Sequence, residues 1–499
     1  MERQSKISSF IEENETYIRE TLKDCDDIII RPMILGQEKK IHCLVVYVEV
    51  AVSNMMLEDS VIGKLINHMW EMPRDEILEF VQDNGLGISD VKTLNTMQEA
   101  LGCVFAGNAV FFLDGYPHAV KVSSQGYPKL DIQEASREKV LRGSRESFTD
   151  ALKTNSALVR KRIRDPELKV KEKKLGRRSQ TMVQILYMEG IVRKELLDEL
   201  DRRLEGFEID GVLDSGIVEQ LTGDNWISPF PQFQTTERPD KCAMEVLNGR
   251  ILLLVDHSPE GLLLPAAFND FLQVSEDQYQ NFEMATFLRI IRYLATAFAM
   301  LFSGVYLAVT NFHTQVLPSN LILSFAEARK GVPFPGILEI FFMEVAFESI
   351  REAGVRAPGP LGGTIGIVGG LIIGQAAVSA NLVSPIVVVI VAITALATLA
   401  IPNEEFSAPF RLLKFGFILL GGTMGMFGIL LGLYLILGHL AGLKSFGIPY
   451  LVPFAAQRKE GYRGLRDGIL ILPTRFRKRR PLYARKEQKI RLKMKNGGN

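Results

Sequence analysis

Cysteine, histidine and tryptophan are scarce in this 499-residue chain: four, six and two. Cys25, Cys43, Cys103 and Cys242 all fall in the first half and show no metal or redox spacing. That excludes a disulfide scaffold and reads as reduced thiols. His42, His68, His118, His257, His313 and His439 are scattered, with no carboxylate at a ligating interval, so neither a metal nor a cofactor is expected. No nucleophile elbow and no Walker loop occurs. Asp256, His257 and Ser258 are adjacent, which suits a turn rather than a triad. No enzyme is expected.

An apolar leader run is also lacking. The opening "MERQSKISSFIEENETY" is polar and acidic, so the first domain is expected on the cytoplasmic side. Net charge is zero but unevenly spread. Fifteen Lys/Arg face three Asp/Glu from Ala455 to Asn499. An acidic body therefore carries a basic tail, composition that suits an anionic membrane surface or nucleic acid.

Charge is missing from three long runs, Tyr293 to Ala326, Ala357 to Asn403 and Phe415 to Leu443. About 20 apolar residues cross a bilayer as a helix. Spans are expected near Phe287–Val309, Leu361–Ala380, Val383–Ile401 and Leu412–Leu440. A fifth apolar helix, Pro335 to Gly354, carries Glu339, Glu344, Glu348 and Glu352, the last three on one face. An acidic face in lipid is costly and functional. Alternatively this helix lies in the interface, its acids paired with Arg351, Arg356 or Arg329. A cytoplasmic N-domain and a basic cytoplasmic tail require an even number of crossings. Four are expected, one of the five candidates failing to cross.

Two stretches of the first half read in the same order of helix end, glycine, strand, turn and strand: "EALGCVFAGNAVFFLDGYPHAVKV" and "CAMEVLNGRILLLVDHSPEGLLLP". Asp114-Gly115 is a strong hairpin signal. Each has an upstream strand, "IHCLVVYVEV" or "TMVQILYMEGI". The expected fold class is an α+β domain of two related α/β subdomains followed by an α-helical transmembrane bundle. The related parts are 27–130 and 178–275. The full division is a polar segment 1–26, subdomains 27–139 and 178–286, a basic linker 140–177 whose helix stops before Pro166, a membrane domain 287–454 and a tail 455–499. The linker ends in a basic patch, Arg160, Lys161, Arg162 and Arg164. Lipid head groups, an acidic face of a neighbouring subunit or plain solvent suit it. No nucleic-acid reader motif or interleaved aromatics accompany it.

Small residues mark the membrane half. Gly366, Gly370 and Gly374 form a stripe four apart that lets helices approach closely. Gly421, Gly425, Gly428 and Gly432 repeat the device on the last helix. Opposite the first stripe stand Val368, Ile372, Gln375 and Ser379, a wall suited to line a lumen; alternatively Gln375 bonds another helix inside one subunit.

"FPQFQTTERPD", "PFPGILEIFFMEVAFESIREAGVRAP", "IGIVGGLIIGQAAV", "SFGIPYLVP" and the linker "RGSRESFTDALKTNSALVRKRIRDPELKV" resemble the A-subunit family of GerA-type spore germinant receptors, over about residues 27 to 480. One departure is Ser303, where that family usually has a proline in its first spanning helix. The resemblance implies a multi-pass protein of the spore inner membrane. Its partners would be a transporter-like B subunit, a lipoprotein C subunit and further copies of itself, and its oligomer a nutrient-gated cation channel. A non-conducting scaffold and an accessory channel of the same family are the alternatives. Within the channel reading, Val368 and Ile372 form an apolar gate, and Glu344 and Glu348 draw cations to the mouth.

Overall fold

The apolar runs "IHCLVVYV" and "TMVQILYM" each become the second strand of a five-stranded antiparallel sheet. They are β2 (Ile41–Val48) and β7 (Thr181–Met188). The computed structural model describes residues 6–35, 41–50, 91–122, 134–135, 137–140, 142–357, 361–455, 468–488 and 490–492. One unit comprises 1–224, 233–265 and 474–499, the other 225–232 and 266–473.

In the first unit, one sheet combines β1 (Ile28–Leu35), β2, β3 (Val91–Leu94), β4 (Ala109–Leu113) and β5 (Ala119–Val122) in the order β1-β2-β4-β5-β3. The other combines β6 (Leu168–Leu175), β7, β8 (Gln234–Thr236), β9 (Ile251–Val255) and β10 (Gly261–Leu264) in the order β6-β7-β9-β10-β8. The two orders are identical. Each sheet carries the equivalent helix before its fourth strand in chain order: α2 (Met97–Phe105) and α6 (Pro239–Leu247), with α1 (Ile11–Thr21), α3 (Leu152–Arg160), α4 (Lys194–Leu204) and α5 (Ser215–Thr222) around them. In α2, Thr96 caps the first turn by accepting from the Glu99 amide.

β6 starts inside the range assigned to the linker. Its sequence "LKVKEKKL" hides it, because five of its eight residues are charged. Within its sheet the strand is an edge, next to β7, with a short parallel bridge from Val170 to Cys25 on its outer side, and lysines are tolerated there. Lys169 donates to the Thr21 carbonyl and Lys173 pairs with Asp201 at 2.7 Å. The linker helix α3 ends at Arg160, short of Pro166 as expected.

Part of the basic tail docks on the second sheet's subdomain. Ala484 is fully buried and bridges Val192. The Arg485 amide donates to the Ile191 carbonyl at 2.9 Å. Arg250 lies over the Tyr483 ring at 4.4 Å. Gly249 makes room for this: it holds φ +96°, and a Cβ there would lie 2.8 Å from the Ala484 Cα.

The second unit is a helical bundle: α7 (Phe282–Phe312), α8 (Ser319–Ala328), α9 (Gly336–Arg356), α10 (Leu361–Ser379), α11 (Pro385–Leu399) and α12 (Glu404–Gly442). Among the described residues, α7 and α12 are long and apolar enough to cross a membrane, with mean hydropathy 1.6 and 1.9.

The last expected span is two passes rather than one. At Gly425 the backbone turns to φ 63°, ψ −146°, a conformation open chiefly to glycine. A Cβ on Gly432 would lie 2.8 Å from the Phe417 ring, and one on Gly428 would lie 2.5 Å from the Leu420 carbonyl oxygen. In a straight helix residues 417 and 432 would be about 22 Å apart. So α12 is a hairpin of two arms, 404–424 and 426–442. Side-chain pairs set the other directions. Ile337, Phe341, Glu344, Glu348 and Arg351 of α9 meet Gly422, Phe415, Lys414, Arg411 and Glu404 in turn. These helices are therefore antiparallel. Gly369 and Gly370 of α10 face Ile350 and Phe347 of α9, which reverses direction again. The chain makes six alternating helical passes: α7, α9, α10, α11 and the two arms of α12.

Candidate functional site

The acidic residues of α9 face basic residues rather than lipid. A helix rises about 1.5 Å per residue, so Glu344 and Glu348 are one turn apart on one face. On the first arm of α12, Lys414 and Arg411 are three apart, also close to one turn, and run in reverse order. The Glu344 carboxylate is 1% exposed. One oxygen lies 2.7 Å from Lys414 Nζ and the other accepts from the Ser303 hydroxyl at 2.7 Å. Ser303 Oγ is also 3.1 Å from Thr394 Oγ1. Four helices, α7, α9, α11 and α12, thus meet at one buried polar knot. Glu348 pairs with Arg411 at 3.3 Å, and Glu404 with Arg351 at 3.6 Å. At the other end of α9, Glu339 is fully buried. It bonds Arg329 at 3.2 Å and accepts from the Ser384 amide at 2.9 Å, capping the start of α11.

This ladder changes the part expected of Glu344 and Glu348 as free charges at a mouth. Each carboxylate is matched by a cation, and a matched pair projects little field. Glu352 pairs with Arg356, at the exposed end. Sequence reading missed Arg411, Lys414 and Thr394. The signal was there: Arg411 and Lys414 straddle the start of an apolar run, an expensive place for charge unless a partner waits. Ser303, singled out as a departure, supplies a hydroxyl that a proline lacks, and α7 runs through it as one helix.

On α10, a Cβ at Gly370 would lie 3.6 Å from the Phe347 ring and one at Gly374 3.4 Å from Val388. Ile372 is 58% exposed, and Gln375 and Ser379 are exposed as well. The side-chain surroundings of Gly366 and Val368 lie outside the described residues. The glycines of α12 divide into two kinds. Gly421 abuts Gly304 of α7, where an added Cβ would lie 2.9 Å from the Gly304 carbonyl carbon. Gly428 and Gly432 seat the second arm on the first. Gly425 is the turn itself, and it also packs closely: a Cβ there would lie 3.0 Å from the Phe312 side chain of α7.

The basic patch separates. Arg160 is fully buried. Its Nε and Nη2 each donate to Asp27 at 2.8 Å, and its guanidinium lies 5.4 Å from the Phe105 ring centroid. Burial opposes its charge, but the Asp27 carboxylate outweighs burial and leaves the Arg160 pKa raised. Lys161 and Arg162 share Glu146, whose pKa stays low: burial raises it, and the two cations more than compensate. Arg164 is exposed. Arg160 thus ties α3 to the first sheet and presents no surface.

The Bacillus/Clostridium GerA spore germination protein family matches residues 16–483. Spore germination protein KA of Bacillus subtilis (strain 168) is 36% identical, over 98% of this chain and 89% of that protein. Spore germination protein GerLA of Bacillus cereus is 36% identical over 95% and 96%. Spore germination protein B1 of Bacillus subtilis (strain 168) is 34% identical over 97% and 99%. Among solved structures, the N-terminal domain of the A subunit of the Bacillus megaterium spore germinant receptor GerK3 is 30% identical. It covers 53% of this chain and 98% of that one, with a TM-score of 0.42. The chain belongs to the GerA family of spore germination proteins.

Proposed function

We propose that this protein is the A subunit of a nutrient germinant receptor, and that its helical units assemble around an axis into a nutrient-gated cation channel in the spore inner membrane. A transporter-like B subunit and a lipoprotein C subunit complete the receptor. The observation that carries the channel reading is the outward wall of α10. Gly370 and Gly374 turn inward against α9 and α11, which leaves Gln375 and Ser379 on the outside of an apolar bundle. An amide and a hydroxyl facing lipid forfeit their hydrogen bonds. Facing a wet lumen they keep them. Ile372, and Val368 four residues earlier, then form the apolar ring at which the pore dewets and closes.

Topology supports this reading. The chain leaves the first unit at residue 265 and re-enters it at 474; the reading requires an even number of crossings, and six helical passes fit it. With the basic tail on the inside, as the positive-inside rule favours, both termini are cytoplasmic in this reading. Cysteines placed at Ser5 and Ile490 should be labelled only from the inside.

The test is ion flux. Val368→Ala should leave the pore wet and leak potassium without nutrient, and Val368→Phe should block release. Purified oligomer in vesicles should conduct. Absence of flux from a correctly assembled oligomer would leave a non-conducting scaffold as the reading. If Val389→Ala leaks while Val368→Ala does not, α11 rather than α10 faces the lumen.

A further inference from the structure

The loop "NWISPFPQ" (Asn225 to Gln232) holds two large apolar side chains in the open. Trp226 is 88% exposed and Ile227 72% exposed. The loop is nevertheless fixed. The Asn225 amide donates to the Gln232 side chain at 3.0 Å, and the Gln232 side-chain amide donates back to the Asn225 carbonyl at 2.7 Å. The Ile227 amide donates to Asn225 Oδ1 at 3.0 Å. Phe230 is buried, with its ring centroid 5.6 Å from Phe410 and 6.1 Å from His439. Ser228 Oγ lies 2.8 Å from His439 Nε2.

These contacts fix where the loop stands. Phe410 lies near the start of the first arm of α12 and His439 near the end of the second, so the loop sits at the open end of the hairpin. The second arm reaches that end with an exposed apolar face. Leu430, Tyr434 and Leu437 are 60%, 75% and 56% exposed. Trp226 and Ile227 lie where this face ends.

We propose that Trp226 and Ile227 seat in the headgroup–acyl boundary of the bilayer at the open end of the α12 hairpin and hold the bundle at a set depth. The proposal rests on the reading that the bundle spans a membrane. Indole has an apolar ring and a polar N–H, and tryptophan concentrates where one end is dry and the other wet. A loop already closed by its own hydrogen bonds loses little entropy on entering that layer. The exposed apolar face beside it argues for lipid as the occupant, because the same surface of the second arm must be covered along its length.

The chain has only two tryptophans, at positions 70 and 226, which supplies the probe. Full-length Trp70→Phe protein is reconstituted into phosphatidylcholine–phosphatidylglycerol vesicles. Its fluorescence is quenched with nitroxide lipids labelled near the headgroup or near the chain end, and with acrylamide. The shallow label should quench at least about twofold more than the deep one, as for an interfacial tryptophan, and acrylamide should quench weakly. The Trp226→Phe protein gives the Trp70 signal for subtraction from wild type, should Trp70→Phe misfold. Strong acrylamide quenching with no lipid quenching would put the loop in water and overturn the proposal. Protection from both quenchers, with loss of the oligomer in Trp226→Lys, would assign the loop to a second copy and equally overturn it. A chain that an alkaline wash strips from the vesicles would refute the membrane reading itself. A chain that stays, with Trp226 in water, refutes only the proposal.

Discussion

Replacing Lys414 by methionine removes one charge and keeps a straight apolar stem of similar length. The loss falls on Glu344. Its carboxylate keeps the Ser303 hydroxyl but no cation, in a position 1% exposed. Breaking a buried ion pair from one side costs roughly 3–5 kcal/mol, because the survivor stays desolvated and uncompensated. For a unit of this size that lowers the melting temperature by on the order of 10 °C. Glu344→Gln in the same chain removes the stranded charge. The double variant should recover most of the loss, giving a coupling energy of at least about 2 kcal/mol. Melting of the four purified proteins in detergent, read as the monodisperse fraction after heating, completes the cycle. If Lys414→Met melts with wild type, or if Glu344→Gln adds a further independent loss, the two residues do not act as a pair. The same result would remove the ladder as the feature that fixes α9 against α12.

Gly421→Ala should cost roughly 1–3 kcal/mol by overpacking against Gly304, whereas Gly416→Ala, with nothing within 4 Å of the added carbon, should be neutral in the same melting assay. Asp27→Asn should destabilise the first unit by roughly 3–5 kcal/mol by stranding Arg160, measured by chemical unfolding. Gly249→Ala should release the docked tail and speed tryptic cleavage at Arg477, Lys478 and Arg479, which need a loose backbone to be cut; a cleavage rate equal to wild type would refute the docking. Burial pushes the Cys43 thiol up to about 12 and raises Cys242 as well. A raised pKa means less thiolate at a given pH, so at pH 8 a maleimide should label Cys103 in the native protein and reach Cys43 and Cys242 only after unfolding.

The sequence alone carried the family, the doubling within the first half and the apolar helices. Each of these is local. Strand alternation, an Asp-Gly turn and a charge-free run are legible because they follow from the chemistry of near neighbours. Gly425 shows the limit. As one glycine among four at near-helical spacing it read as packing, and the chain's turn there shows only in its backbone angles and in the contacts of Gly428 and Gly432 with the first arm. β6 was hidden because its lysines find partners in other elements, Thr21 and Asp201 among them. Arg160 read as surface because its partner, Asp27, lies 133 residues away. The same holds for Glu344 and Lys414, 70 apart. A charge in an apolar setting tells the reader that a partner is required. Which residue answers is settled by how the helices pack, since the pairing energy exists only once tertiary structure has brought the two groups within bonding distance.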